Sequence, residues 1–134
     1  MQAAATSIDN VTGNVVAIVG SRSQASISGY TLNRAYQSAR QPGSAIKPLM
    51  VYMPYLQMGN NPDSIVTDES IEGGPVNADG VYAGDITLRE ALRTSKNTVA
   101  WNILQRISPR SGVSFLTNMD LDRKSTRLNS SHRT

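Results

Sequence analysis

The sequence contains no cysteine, and its only histidine is His132, close to the C-terminus. Without cysteine the chain can form no disulfide, no thiolate metal site and no cysteine nucleophile. Because residues 1–122 also lack histidine, this region cannot assemble a Ser-His-Asp or Cys-His catalytic group. Nucleophilic catalysis here would therefore need a lysine or a carboxylate to move the proton.

Long apolar runs are missing as well. No segment approaches the roughly 20 apolar residues that span a bilayer. The opening MQAAATSIDN lacks the basic start and apolar core of a signal peptide, so we expect no targeting segment in this chain. The hydrophobic share of 39% and the charged share of 17% are ordinary for one globular domain of 134 residues.

Positive charge is scarce outside the C-terminal end. The net charge is +3, but residues 123–134 (RKSTRLNSSHRT) carry four of the 13 basic residues and no acidic one. The body of the chain then has nine basic and ten acidic residues, with no basic stripe to follow a phosphate backbone, so we expect no nucleic-acid partner. The tail resembles translated adapter sequence, and we interpret residues 123–134 as non-native or disordered and residues 1–122 as the domain.

The N-terminal third has the pattern of a hairpin followed by an irregular segment. Residues 3–9 and 14–20 predict two antiparallel strands, and DNVTGN between them is turn-forming. Residues 21–43 have no sustained period, which predicts an irregular segment with a short helical turn near NRAYQSA.

Helical periodicity begins at Ser44 and ends near Gly59. Pro54 predicts a kink, because proline removes the hydrogen bond to Met50. Residues 60–86 are rich in Asn, Asp, Gly and Pro and predict a long surface loop. The apolar face of the first helix is predicted to consist of Ile46, Leu49, Met50, Met53 and Leu56.

Two further helices are predicted after the loop. Thr87 and Glu90 have the spacing of a capping box, in which the threonine caps the helix and the glutamate reaches back. SKN interrupts the pattern, and the second helix ends before Pro109. The apolar faces are Leu88, Ala91 and Leu92 in the first helix and Val99, Ile103, Leu104 and Ile107 in the second.

Several conspicuous side chains are interpreted as structural or solvated. We expect Lys96 to be solvated. The carboxylates of the loop lack EF-hand spacing and are interpreted as solvent-exposed: Asp63, Asp68, Glu69 and Glu72. The aromatic residues interpreted as packing are Trp101, Tyr52 and Tyr55.

The spacing of Ser44 and Lys47 is compatible with nucleophilic chemistry. Three residues apart on a helix, their side chains project from nearly the same face. A serine hydroxyl needs a base, and a lysine can serve once desolvation or a positive field at a helix N-terminus favours its neutral amine. The alternative is that Ser44 is a helix cap and Lys47 a surface residue.

The segment LNRAYQSARQPGSAIKPL closely resembles the nucleophile region of penicillin-binding protein transpeptidases, above all the bifunctional class A enzymes. SIDNVTGNVVAIVG resembles the first hairpin of that family, and GPVNADGVYAGDITLREALRTSKNTVA contains its second motif, S-x-N. The resemblance implies an α+β fold of the β-lactamase/transpeptidase type, in which helices flank an antiparallel sheet.

The resemblance also implies roles for four residues. Ser44 would be the acylated nucleophile and Lys47 its proton acceptor. Ser95 would relay a proton to the leaving group, and Asn97 would hydrogen-bond the substrate amide. The alternative for Ser95 and Asn97 is a pair of caps between two short helices.

The third motif of the family, K-T-G or K-S-G on a strand, is absent from the sequence. The resemblance therefore predicts a fold truncated after the second motif, without most of the central sheet that the helices pack on. It also predicts that the glycosyltransferase domain and the membrane anchor, which class A proteins carry upstream, are missing from this chain. We expect the isolated chain to be inactive and residues 1–122 not to unfold cooperatively.

The implied parent reaction is cross-linking of peptidoglycan stem peptides that end in D-Ala-D-Ala, with β-lactams acting as substrate mimics. It implies no cofactor or metal, and a membrane-anchored parent at the outer face of the bacterial cytoplasmic membrane. Three alternatives stay open: a serine β-lactamase or D,D-carboxypeptidase of the same fold, a penicillin-sensing domain, and a non-catalytic protein.

Overall fold

The computed structural model describes residues 2–22 and 32–121. The chain divides into two compact units, Met1–Gln41 and Pro42–Thr134. The interpreted tail, residues 123–134, lies outside the described residues.

The first unit contains the predicted hairpin. Strand β1 (Ala5–Ile8) pairs antiparallel with β2 (Val15–Val19), and the register shifts once between Ser7 and Ile8. Gly13 has φ 72°, a conformation that glycine adopts without a steric cost, and thus closes the turn. Every residue of both strands is exposed, so the hairpin has no core of its own.

The irregular segment after the hairpin is confirmed where it is described. Residues 34–37 form a turn in which the Gln37 amide donates to the Asn33 carbonyl at 2.9 Å. Residues 23–31 of the predicted segment lie outside the described residues.

The second unit opens with three helical segments where the periodicity predicts one kinked helix. A 3-10 helix spans Gly43–Ile46, a π-helix spans Pro48–Tyr52, and α1 spans Met53–Gln57. The Met53 amide donates to the Pro48 carbonyl, one residue further back than in an α-helix. Pro54 has no amide hydrogen to donate to Met50, so the wider turn ends just before it.

The expected apolar face of this segment is confirmed only in part, because Met50 and Leu56 pack against the core and the others do not. Met53 is exposed, and the other four predicted residues are only partly buried. The wide π turn rotates the helix, so that the buried apolar residues here are Val51, Tyr52 and Tyr55.

The loop predicted over residues 60–86 contains two strands instead. Strand β3 (Ile65–Asp68) pairs antiparallel with β4 (Gly84–Thr87), with Val66 opposite Ile86. Four-residue strands among Asn, Asp and Gly give a weak sequence signal, which is why composition alone predicted a loop.

Both predicted helices after β4 are present. Helix α2 spans Leu88–Arg93, and the Thr87 hydroxyl caps it by accepting from the Glu90 amide at 3.2 Å. The reciprocal half of the capping box is wrong, because the Glu90 carboxylate accepts two hydrogen bonds from Arg93.

Helix α3 (Asn97–Ile107) is followed by α4 (Pro109–Asn118). Trp101 is 43% exposed, so its interpretation as packing is wrong, whereas that of Tyr52 and Tyr55 is confirmed. No helix among the described residues has the length and apolarity to cross a membrane. The buried core, contributed by the first helical segments and by β3, α2 and α3, comprises Val51, Tyr52, Tyr55, Val66, Leu88, Ala91, Val99, Ala100, Ile103 and Ile107.

Candidate active site

Ser44 lies in the 3-10 helix, and its side chain is exposed. Gly43 before it has φ 55°, and apart from its chain neighbours no described atom lies within 4 Å of the position where a Cβ would stand. Within the described residues the Ser44 hydroxyl makes no hydrogen bond. Side chains three apart on a 3-10 helix eclipse one another, which places Ser44 and Lys47 on one face.

Lys47 is buried and reaches across to the segment between α2 and α3. Only 9% of the residue is exposed. Its Nζ donates to the Ser95 carbonyl at 2.8 Å, the Ser95 hydroxyl at 3.1 Å and Asn97 Oδ1 at 2.6 Å. The structure thus brings together three of the four residues that the motifs predicted, and it leaves Ser44 on the same turn without a direct hydrogen bond to Lys47.

Burial lowers the pKa of the Lys47 ammonium below its ordinary value of 10.5. Desolvation disfavours the charged form, so a larger fraction of this amine is neutral at a given pH than for a solvated lysine. The direction is the one that a lysine acting as a base requires.

Ser95 has an uncommon backbone conformation, with φ 55°. The Ser95 amide donates to the Leu92 carbonyl and the Lys96 amide to the Ala91 carbonyl, both at 3.0 Å. This pattern is a Schellman motif at the end of α2, with serine at the left-handed position where glycine is the usual residue. The turn aims both the carbonyl and the hydroxyl of Ser95 at Lys47.

Asn97 begins α3 and is held at two points besides Lys47. Its backbone amide donates to Asn77 Oδ1 at 2.8 Å, and the Thr98 amide donates to the same oxygen at 3.3 Å. Its side-chain Nδ2 donates to the Val76 carbonyl at 2.8 Å. The carboxamide therefore has one N–H and one lone pair left for a ligand.

The expectation that Lys96 is solvated is wrong, because the residue is only 4% exposed. Its Nζ donates to Asp79 at 2.9 Å and to the Val81 carbonyl at 2.8 Å, and it lies 3.3 Å from Asp68 Oδ2. A buried ammonium needs such partners, and here all three of its hydrogens have an acceptor nearby.

Asp68 is also not solvent-exposed, contrary to its interpretation as part of a wet loop. Its carboxylate accepts hydrogen bonds from the Thr98 hydroxyl, from Asn77 Nδ2 at 2.7 Å and from the Ala83 amide at 2.9 Å. Burial opposes ionisation, but these hydrogen bonds and the one from Lys96 outweigh it and hold the pKa of Asp68 below its ordinary value.

We call the five interlinked residues Asp68, Asn77, Asp79, Lys96 and Thr98 the buried polar cluster. Apart from the polar types of its members, no sequence pattern indicates this cluster, because they are drawn from the predicted loop and from the S-x-N region. Only the alternation of exposed and buried residues along β3 places Asp68 inward, and that strand was not predicted. Among the described residues, no group of three or more His, Cys, Asp or Glu side chains is arranged to hold a metal ion.

Over residues 3–132, the sequence matches the family described as the penicillin binding protein transpeptidase domain. The chain is 42% identical over 122 residues to penicillin-binding protein 1A of Neisseria gonorrhoeae, in an alignment that covers 80% of this chain and 14% of that protein. It is 34% identical over 129 residues to penicillin-binding protein 1A of Streptococcus oralis, which covers 91% of this chain and 20% of the relative.

The chain thus spans far less than two thirds of the length of these relatives. The family match, in contrast, extends along nearly all of this sequence and includes the hairpin, the turn of Ser44 and the Ser95–Asn97 segment. The chain belongs to the penicillin-binding protein transpeptidase domain family.

Proposed function

We propose that this chain supplies the nucleophile and the proton-transfer groups of a serine D,D-transpeptidase. One observation carries the proposal: the Lys47 ammonium, three residues after Ser44, contacts both Ser95 and Asn97, which are 48 and 50 positions away in the sequence. A cap-and-surface interpretation of these four residues gives no reason for a buried lysine at their centre.

In the first step, the Ser44 hydroxyl oxygen attacks the carbonyl carbon of the D-Ala-D-Ala bond. Its proton passes to the neutral Lys47 amine, whose lowered pKa favours this role. Lys47 must turn toward Ser44 for this transfer, since its present partners are Ser95 and Asn97.

In the second step, the proton moves from Lys47 through the Ser95 hydroxyl, 3.1 Å away, to the departing D-alanine nitrogen. The carbon–nitrogen bond breaks and an ester on Ser44 remains. An amine of a second stem peptide then attacks the ester, forms the cross-link and returns the hydroxyl to Ser44. The free N–H and lone pair of Asn97 suit a substrate amide.

The proposed fold of the parent is of the β-lactamase/transpeptidase type, and its site is at the outer face of the bacterial cytoplasmic membrane. β-Lactams acylate Ser44 as substrate mimics. The sequence has no K-T-G or K-S-G motif, and we propose that the 134-residue chain has little turnover alone. Experiments on activity therefore use the complete gene product that contains this chain.

The test is covalent labelling of the complete gene product by a fluorescent penicillin. We expect stable label in the wild type, none in Ser44→Ala, and unchanged label in Ser114→Ala, a matched exposed serine on α4. Label in Ser44→Ala equal to that of wild type contradicts the proposal.

The time course and the product separate the related functions. Persistent label together with cross-linked muropeptide supports the transpeptidase. Rapid loss of label would indicate a β-lactamase or carboxypeptidase, and persistent label without any cross-linked product would indicate a sensing domain.

A further inference from the structure

Lys96 is fully engaged in the buried polar cluster, although the proposed reaction gives it no part. Its side chain is 5% exposed, and Asp68, one of its two ionic partners, has a side chain that is 0% exposed. Burying an ion pair is costly, and apolar residues of similar size often stabilise a fold as well or better. A stability role alone is therefore a weak reason for charges at this position.

The two neighbours of Lys96 in the sequence are the groups that hold Lys47. Its own backbone amide closes the Schellman motif that fixes Ser95 in the left-handed conformation. On its other side, the Asn97 amide is bound by Asn77, which also donates to Asp68. The position of the Lys96 side chain therefore constrains the backbone on both sides at once.

The cluster also ties this segment to β3 and to the turn before β4. Asp68 ends β3, and the Thr98 hydroxyl of α3 donates to it. Asp79 and the Val81 carbonyl lie in the turn and both accept from Lys96 Nζ. The three oxygen acceptors lie in different directions and therefore fix the position of the Lys96 ammonium. An apolar side chain makes no directional bonds and would not be fixed in this way.

We infer that Lys96 is a positioning residue, whose ion pairs with Asp68 and Asp79 keep Ser95 and Asn97 at hydrogen-bond distance from Lys47. The inference rests on the proposed function, because it assigns the cluster to the geometry of proton transfer. Lys96 touches neither substrate nor Ser44 in this account, and it acts only through its neighbours.

The experiment is rapid-quench acylation of the complete gene product by saturating fluorescent penicillin. Two quantities are read from each variant: the final labelled fraction and the first-order rate constant of the molecules that become labelled. A merely structural role of Lys96 lowers the labelled fraction, because fewer molecules are folded. A positioning role lowers the rate constant of the folded molecules.

We expect Lys96→Gln to lower the rate constant about 10- to 100-fold, since small displacements of catalytic groups have effects of this size. Lys96→Arg keeps the charge and should recover most of the rate. Arg93→Gln is the matched control, because it also removes one positive charge, from an ion pair with Glu90 whose arginine is 70% exposed, and it should leave the rate unchanged.

Lys96→Gln leaves the carboxylates of Asp68 and Asp79 without their cation, which can prevent folding. A variant that disturbs the cluster less is therefore measured as well. Asp79→Asn removes one ionic partner, keeps an oxygen acceptor and leaves Asp68 paired, and we expect a threefold to tenfold lower rate constant at full labelling.

Unchanged rate constants in the labelled molecules of Lys96→Gln, or in Asp79→Asn if the first variant does not fold, would overturn the inference. That result differs from failure of the proposed function, in which wild type and Ser44→Ala do not differ in labelling. Slow labelling of Lys96→Gln, with most of the rate recovered in Lys96→Arg and normal labelling of the wild type, supports both.

Discussion

At the scale of single residues, Ser95 combines a reactive group with a backbone conformation that disfavours it. A left-handed conformation costs a residue with a Cβ about 1 kcal/mol, and Ser95 has φ 55° at the end of α2. Glycine would fit this turn better, but it has no hydroxyl to contact Lys47. In the proposed mechanism this hydroxyl relays the proton to the leaving group, which would account for a serine at a strained position.

This conflict predicts different stabilities for two variants that both lack the hydroxyl. Ser95→Gly should be more stable than Ser95→Ala by about 1 kcal/mol, because only glycine relieves the left-handed strain. Calorimetric unfolding of the complete gene product measures the difference, and both variants should acylate slowly with penicillin. Equal stability, or a more stable alanine variant, would show that the turn is not strained.

Tyr52 places a polar hydroxyl group in the apolar core. Its hydroxyl is buried and has no hydrogen-bond partner among the described residues, and burial raises its pKa to about 12. Between pH 10 and 12 the unfolded chain releases this proton while the folded chain keeps it, so stability is lost as pH rises through this window.

We expect Tyr52→Phe to raise the free energy of unfolding by about 1 kcal/mol at pH 7 and to reduce the loss at alkaline pH. Unfolding in denaturant at a series of pH values measures both effects. A destabilised phenylalanine variant would mean that the hydroxyl has a partner after all.

At the scale of elements, periodicity predicted α2 and α3 but neither α4 nor the polar links between the elements. The spacing of Val99, Ile103 and Ile107 predicted the buried face of α3, and all three are buried. Pro54 correctly marked an irregularity, but a proline pattern does not say whether a helix kinks or widens into a π turn.

The burial of Lys96 and Asp68 could not be predicted from the sequence. Charged residues in a segment rich in Asn, Asp and Gly are usually solvated, and nothing in their spacing indicates that they bury one another. The same holds for Ser95 and Asn97, whose types suit helix caps equally well. The motif resemblance, and not the physical pattern, singled these residues out, and the contacts with Lys47 came only from the structure.

The link between β3 and α3 through Asp68 predicts an acid-sensitive fold. The pKa of Asp68 lies below its ordinary value of 3.8, so its contribution is present above that value and is lost as pH falls through the lower, folded-state pKa. Asp68→Asn leaves Lys96 short of one charge partner and should destabilise the domain by about 3 kcal/mol at pH 7.

Denaturant unfolding at pH 7 and at pH 3 measures this effect. The wild type should lose more stability between the two pH values than Asp68→Asn does, because the variant has no carboxylate to protonate. An equal loss in both proteins would show that other groups govern the acid sensitivity.

At the scale of the whole molecule, the hairpin and the helical unit differ sharply in burial. Both strands of the hairpin are exposed along their whole length, including Val15, Val16 and Val19. An isolated two-stranded hairpin is marginal in water, whereas the second unit has its own buried core. The sequence predicted the hairpin and the helices as parts of one domain and did not predict this contrast, since a β-branched strand has the same pattern whether or not a neighbour covers it.

We therefore expect residues 1–122 alone to unfold without a single cooperative transition. Circular dichroism during heating should show a broad change, and the hairpin amides should exchange with solvent much faster than those of α3. A sharp two-state transition followed in both units at once would contradict this expectation.

The central claim is that the neutral amine of Lys47 takes the proton of Ser44. The most direct test is mass spectrometry of the complete gene product after timed reaction with benzylpenicillin at a series of pH values. We predict an adduct on Ser44 whose rate of formation rises with pH and levels off below 10.5, because burial lowers the pKa of Lys47 from that value. In Lys47→Met we predict a rate of adduct formation at least a hundredfold lower. No adduct on Ser44, or the same rate in Lys47→Met, would contradict the account.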